Sequence, residues 1–591
     1  VAEIYFLLLS VFSKNHSVEE FILPGLNQSK RWVIYPKIDP VTEKELEPYP
    51  PYMRQILYNR GIRSVEAADE YLSASMVLAD PFRLLDMQKA VDRLLQARDL
   101  DELIAVYGDY DVDGVTATVM MVEALRALGA KVTRYIPNRF EEGYGLNEGA
   151  IKELADSGVK VILTVDCGIR SPREAEFARS MGVDLIISDH HHPKDELPDA
   201  FAVICPKREN DPYPDKDLAG VGVAYKILQG LLQRAGVNDR QADEWLDLVA
   251  LGTVADIVPL TGENRVMVRR GINLIRTGKR MGLNALAGVA GKNIRQITAT
   301  DIGFILGPRL NAAGRMESAL QAFELLFSDS AEDVGKSAQI LEDQNSERQK
   351  ATRKAQEKAQ TELGDPSQLH IITAFDPEFS SGIVGLVASK LVENYYRPAI
   401  VGQIENEHIR ASCRSIPEFH ITKALDECAD LLIRHGGHAM AAGFTVSRQN
   451  VDELVERLKG IAARELSGIE LRPVLKADLE LDVASIKPNI YQELEKLQPT
   501  GMGNPSVLFI SRGVEVDGMK LMGKEGTHIG FTIRGCKINR AVAFNQAQWF
   551  EVWQQERPKF DIAYSIEVNR YFDMETLQLN IRDMKISGRS G

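Results

Sequence analysis

The stretch Tyr107-Gly108-Asp109-Tyr110-Asp111-Val112-Asp113-Gly114 sets three carboxylates at alternate positions, where an apolar run, 103–107, gives way to a helix-like pattern. In extended chain, positions i, i+2 and i+4 project to one side. Three acids crowded in this way repel unless they are protonated or bridged by hard cations. By itself the segment also reads as a solvated acidic turn, so its meaning depends on what surrounds it.

Two further apolar runs end on the same kind of chemistry: 159–165 on Asp166-Cys167-Gly168, and 183–188 on Asp189-His190-His191-His192. Helix-compatible stretches, 115–128, 147–156 and 171–181, separate the runs, and this alternation predicts a parallel sheet. Sites in such sheets lie beyond the carboxyl ends of the strands. Asp111, Asp113, Asp166 and His190 are therefore expected to meet at one sheet edge. Three consecutive histidines also fit a solvated loop or a single capping residue, but beside strand-end acids they fit a Mg²⁺ or Mn²⁺ site better than a structural zinc, which favours thiolates. Cys167 reads as a packing residue. In the apolar segment 246–260, Asp256 is the favoured candidate ligand, because a late buried carboxylate needs a metal or a basic partner; Asp247, nearer the polar start, reads as a surface or capping acid.

In order, Asp109-Tyr-Asp111-Val-Asp113-Gly114, Asp166-Cys-Gly168, Asp189-His190-His191 and Thr253-Val-Ala-Asp256 resemble the motifs of the DHH phosphoesterase superfamily. Gly307-Pro-Arg309-Leu-Asn311-Ala-Ala-Gly314-Arg315-Met316 and Gly436-Gly437-His438-Ala-Met-Ala-Ala-Gly443-Phe444 narrow the resemblance to its bacterial single-strand-specific 5′→3′ DNA exonuclease branch, from about residue 80 to the C-terminus. The resemblance implies a two-metal phosphodiesterase using Mn²⁺ or Mg²⁺. Asp111 and Asp166 would hold one ion, and Asp113, Asp166, His190 and Asp256 the other, with Asp166 bridging and the pair activating water for in-line displacement. It assigns His191 to the phosphate or to orientation, and Asp109 to a catalytic position at or next to the ions. Some branches place a ligand histidine where this chain has Tyr107, which puts a pyrophosphatase-like first metal site in doubt.

The chain has 591 residues and a net charge of −14. That length requires several domains, and the charge argues against a broad basic surface, leaving nucleic acid to a local groove. The expected fold class is α/β. An N-terminal extension and helical segment, 1–75, precedes a parallel-sheet DHH catalytic domain, 76–330. A long connecting helix, 331–365, leads to a second α/β domain, 366–468, of the DHHA1 type by the resemblance, and then to a C-terminal β-rich region, 469–591, for which the resemblance implies an OB-fold β-barrel.

In the second α/β domain a glycine-bearing loop, 380–385, before a helix suits a phosphate. The resemblance adds Ser412 and Arg414, after a strand, with Gly437 and His438 as phosphate clamps, although His438 alone reads as a satisfied core histidine. Arg309, Asn311 and Arg315, read as loop residues, are candidate substrate contacts; the two arginines also fit surface ion pairs. In the connecting helix, the basic positions Arg348, Lys350, Arg353 and Lys354 fit either a solvated helical face or a DNA groove. Five short strands after residue 473 fit a barrel that stacks bases and tracks phosphate, with Lys520, Lys524, Arg534, Tyr571 and Phe572 as candidate surface.

Five scattered cysteines without C-x-x-C spacing point to a reducing cytoplasm, a bacterial one by the resemblance. The apolar run 4–12 is too short to span a bilayer and, with no Lys or Arg before it, does not read as a signal peptide. The resemblance implies single-stranded DNA as partner, a monomer, and single-strand-binding protein and a RecQ-type helicase as candidate protein partners. Two alternatives stand beside the exonuclease: a DHH phosphoesterase for oligoribonucleotides, cyclic dinucleotides or pyrophosphate, and a non-catalytic single-strand-binding scaffold.

Overall fold

The computed structural model describes residues 30–139, 142–143, 145–194, 196–316, 318–571 and 574–589. The apolar run 4–12 and Phe572 lie outside the described residues, as does the side chain of Tyr571. The described residues divide into two compact units, one around Thr352–Leu475 and the other comprising Trp32–Ala351 with the chain from Lys476 onward.

In the larger unit, strands β1 (Leu103–Gly108), β2 (Lys131–Tyr135), β3 (Val159–Val165), β4 (Asp184–Ser188) and β5 (Ala202–Ile204) form one sheet. Their spatial order is β2-β1-β3-β4-β5, and every pairing is parallel. Chain direction of travel reverses between β1 and β3, which is where doubly wound sheets open a crevice for ligands. The central strands are buried on both faces and read as continuous apolar runs for that reason. Helices α1 (Val112–Ala127), α2 (Gly220–Arg234) and α3 (Leu246–Ala255) contribute to the core of this unit, and α4 (Gly307–Met316) follows later in it.

The connecting helix α5 (Ala331–Glu362) is a single element of 32 residues, with the boundary between the units falling inside it. In the smaller unit, β6 (Ile372–Asp376), β7 (Ala399–Ile404), β8 (His408–Arg414), β9 (Leu432–His438) and β10 (Ala441–Ser447) form a mixed sheet ordered β9-β10-β8-β7-β6. Helix α6 (Val384–Tyr395) packs on β7 and β8.

The larger unit also contains the C-terminal sheet, of β11 (Leu479–Glu480), β12 (Phe509–Val514), β13 (Val516–Met522), β14 (His528–Ile533), β15 (Ala541–Ala543), β16 (Phe560–Tyr571) and β17 (Met574–Ile586). Its order is β11-β12-β16-β17-β15-β14-β13, seven strands where the sequence pattern marks five. Strand β13 escapes the pattern because its pairing slips between Asp517 and Lys520, around Gly518. A bulge of this kind breaks the alternation that betrays a strand. The helices Pro40–Glu45, Pro51–Asn59 and Val65–Ser73 share the barrel's core through Leu46, Met53, Ile56, Leu57 and Leu72. Arg265, on the catalytic side, is buried and donates to the carbonyls of Lys496, Leu497 and Pro499, tying that side to the barrel.

Candidate metal centre

The turn after β1 is shaped by its own side chains. Asp111 caps α1, its Oδ1 accepting the Gly114 N–H at 3.1 Å. Gly114 has no room for a side chain, since a Cβ there would stand 2.6 Å from the backbone N and O of Asp109. At the end of β3, Asp166 has φ +65°, a left-handed conformation uncommon outside glycine and typical of functional turns. Asp113 accepts backbone N–H groups from Gly220 at 2.6 Å and Val221 at 2.8 Å, at the N-terminus of α2.

These elements bring the predicted ligands together. Asp113, His190 and Asp256 form one group, Asp109, Asp111 and Asp166 a second, and Asp166, His190 and His191 a third, with ligand atoms in each within 4.8 Å of one another. His190 Nε2 is 3.2 Å from Asp166 Oδ1, 3.6 Å from Asp256 Oδ2 and 3.9 Å from Asp113 Oδ2. Asp166 belongs to two of the groups, the placement a bridging carboxylate requires. Asp247 lies elsewhere: its Oδ2 accepts from Arg280 Nε at 2.7 Å.

Burial and mutual repulsion push the carboxyls up, Asp109 and Asp166 well above the usual range, Asp113 to about 7 and Asp256 to about 9. Burial, with His191 nearby, holds His190 down to about 3, leaving the neutral imidazole that ligates metals. Burial alone would raise Asp189, but the His191 ring and the surrounding N–H groups outweigh it and hold that acid at about 2. Asp189 Oδ1 accepts from the backbone N–H of His190 and of His191 and contacts His191 Nδ1 at 2.8 Å, while Oδ2 accepts the Ile169 N–H. Burial lowers and Asp189 raises His191, with Asp189 prevailing.

The donor set fits hard divalent cations. Asp166 Oδ1, Asp109 Oδ1 and His190 Nε2 are buried without a hydrogen-bond partner, and buried polar atoms are left so at a high cost. Carboxylates with one or two imidazoles suit Mg²⁺ or Mn²⁺.

Beside the acids lies a cleft lined by Asp109, Tyr110, Asp111, Arg139, Asn311, Gly314 and Arg315, with a volume of about 220 Å³. Asn311 Oδ1 accepts the Val112 N–H at 3.2 Å and so steadies the acidic turn. Contrary to the loop expected there, Arg309, Asn311 and Arg315 lie on helix α4. Pro308 directly follows a π-helical turn, Ile302–Leu306, in a helical run continuous from Ala299, and Gly314 lets the helix approach Tyr110, whose carbonyl oxygen would stand 2.8 Å from a Cβ. Arg309 is drawn away from the cleft, its guanidinium held by Glu342 and the Ile305 carbonyl. Arg139, stacked over the Tyr110 ring at 5.1 Å, joins the cleft without any signal in the sequence. Tyr107 is structural: its hydroxyl donates to the Gly145 carbonyl.

In the smaller unit Ser412 and Arg414 belong to strand β8 itself, not to a loop after it. Arg414 Nη1 donates to Ser412 Oγ at 3.0 Å, and both border Gly385 in the first turn of α6. Register places Arg414 opposite Ala441, and Ala441 opposite His438, so the three share one level of the sheet. Gly437 has φ +147° and no space for a Cβ, with the Ala441 oxygen 2.4 Å from that position. On the barrel, Arg534 is paired with Asp517 and Glu515, while Lys520 and Lys524 are exposed.

Residues 103–253 match the DHH family, N-terminal domain, residues 368–464 the DHHA1 domain, and residues 477–583 the RecJ OB domain. The chain is 38% identical over 543 residues to the single-stranded-DNA-specific exonuclease RecJ of Bacillus subtilis, covering 91% of this chain and 68% of that protein. It is 33% identical over 557 residues to RecJ of Escherichia coli, covering 90% and 95%. The chain belongs to the RecJ family. The structure of RecJ from Thermus thermophilus in complex with Mn²⁺ matches with a TM-score of 0.81 at 28% identity, over 95% of this chain and 80% of that one. The Mg²⁺ complex of the same RecJ matches with a TM-score of 0.74 at 26% identity, over 95% and 79%. Among the described residues, no helix is long and apolar enough to cross a membrane.

Proposed function

We propose that this chain is a divalent-cation-dependent exonuclease that hydrolyses single-stranded DNA from the 5′ end to 5′-mononucleotides, in DNA repair and recombination. The observation that carries the reading is the convergence of Asp111, Asp113, Asp166, His190 and Asp256 around buried atoms that lack partners. Asp111 and Asp166 would hold one Mn²⁺ or Mg²⁺, and Asp113, Asp166, His190 and Asp256 the second. Bound cations of this kind activate water and neutralise charge on a phosphoryl group.

The chain's own residues do the positioning. Asp189 fixes the tautomer and tilt of His191, which then presents its other ring nitrogen to a phosphate oxygen. Asn311 holds the Asp111–Asp113 turn, and Asp109 completes the acidic cluster. Arg315 and Arg139 give the cleft the positive charge that a phosphodiester needs. In the DHHA1 unit, Ser412, Arg414, Gly437 and His438 offer a second phosphate grip at one end of its sheet. Arg309 serves the fold through Glu342. Single-stranded DNA is the partner, and the site of action is a bacterial cytoplasm.

The test compares 5′-labelled and 3′-labelled single strands in Mn²⁺, with the native chain and Asp166→Ala. Early labelled mononucleotide comes only from the 5′-labelled strand and only with the native chain. Equal early release from both ends, or an active variant, would contradict the reading.

A further inference from the structure

Phe304 is 80% exposed, against 48% for Phe544. It sits in a π-helical turn, Ile302–Leu306, that runs directly into α4. Such turns are rare, and they occur frequently at functional sites. The turn is firmly seated: Ile302 and Leu306 are fully buried, and Gly303 and Gly307 pack against Val254 and Ala255, in the last turn of the helix that ends at Asp256. Phe304 is therefore displayed by a rigid support.

Along Ile302–Leu306 and α4 the less buried positions include Phe304, Pro308, Asn311 and Arg315, three or four residues apart, which places them on one face. Asn311 and Arg315 on that face line the cleft beside Asp109 and Asp111. The helical rise from Phe304 to Asn311 is about 10 Å. A stacked single strand rises about 3.4 Å per nucleotide, so the ring lies roughly three nucleotides from the cleft. Aromatic rings in single-strand channels bind bases through their faces, without reading sequence.

We propose that Phe304 is a stacking platform for a nucleobase of the single strand, a few nucleotides from the scissile phosphate, and that it positions the strand without touching the reacting atoms. The inference rests on the exonuclease reading for its substrate.

The test uses the full chain, Phe304→Ala and Phe304→Trp, with single strands long enough to pass the ring, with dinucleotides, and with strands carrying one abasic site at successive positions. Phe304→Ala raises KM for long strands about 5- to 150-fold, the range that losing one stacked base implies, while kcat and dinucleotide hydrolysis stay native; Phe304→Trp restores KM. An abasic site at one position raises the native KM by the same factor and adds nothing in Phe304→Ala. Quenching of 2-aminopurine at that position on binding accompanies the native chain and disappears with Phe304→Ala. Unchanged KM on long strands would overturn the proposal, as would equal losses on dinucleotides, or abasic effects that persist in full in the variant. Quenching without hydrolysis would sink the exonuclease reading and leave the stacking intact; hydrolysis with quenching identical in native and variant would sink the stacking alone.

Discussion

Gly220 donates its backbone N–H to Asp113 Oδ2 at 2.6 Å, while a Cβ on Gly220 would stand 2.6 Å from the Asp166 side chain. One residue thus orients one proposed ligand and leaves space for another. Gly220→Ala is expected to lower kcat by about 10- to 100-fold, the usual penalty for disturbing groups that orient ligands, and stability by about 1–3 kcal/mol. Gly222→Ala is the control, because its Cβ would meet only ordinary contacts at 3.5 Å and beyond. Initial rates and urea melts of the two variants check this, and equal activity would count against the geometry.

The acidic cluster makes thermal stability depend on cations. Four carboxyls held above their usual range signal a site that opposes its own negative charge. Mn²⁺ at about 100 times its dissociation constant should stabilise the native chain by roughly 2.7 kcal/mol, by mass action. Asp166→Ala should lose most of that gain, since Asp166 belongs to two of the three ligand groups. Melting temperatures with Mn²⁺ and with chelator measure the difference, and an undiminished shift in the variant would remove Asp166 from the site.

The site is more legible in the sequence than its surroundings because parallel strands deliver their ends to one edge whatever their separation along the chain. Asp111, Asp166 and His190 each follow an apolar run, and that pattern alone predicts their meeting. Helix α4 reads as a loop because Gly307, Pro308 and Gly314 are turn formers by composition; in place Gly307 and Pro308 continue a helical run from the preceding π-turn, and Gly314 permits a close approach. Nothing in the sequence signals that Arg139 reaches the cleft, or that helices of the N-terminal segment complete the barrel core, since both depend on tertiary packing.

Lys226 and Glu263 form a fully buried ion pair at 3.0 Å, with Tyr213 donating to the same carboxylate at 2.6 Å. Removing either partner leaves a charge buried without compensation. Lys226→Met and Glu263→Gln are each expected to cost about 3–5 kcal/mol, and the double variant much less than their sum. Burial depresses the Lys226 ammonium despite the opposing effect of Glu263. The folded chain therefore binds fewer protons there than the unfolded one, and this group makes stability rise with pH up to the ordinary lysine value of 10.5. Urea denaturation across that alkaline window should show the increment in the native chain and not in Lys226→Met.

Arg309 and Arg315 lie on one helix, but their surroundings give them different duties. Arg309 is held by Glu342 and the Ile305 carbonyl, whereas Arg315 lines the cleft with Asp109 and Asp111. Arg309→Ala should lower stability by about 1.5–3 kcal/mol, as expected for a hydrogen-bonded charged group, with KM nearly native. Arg315→Ala should act on binding instead: KM for single strands raised roughly tenfold, which corresponds to one lost charge-assisted contact of about 1.4 kcal/mol. Raising the salt concentration should weaken strand binding less steeply in Arg315→Ala, because one phosphate contact fewer releases fewer counterions. Parallel KM measurements and urea melts decide it, and a KM effect confined to Arg309→Ala would exchange the two roles.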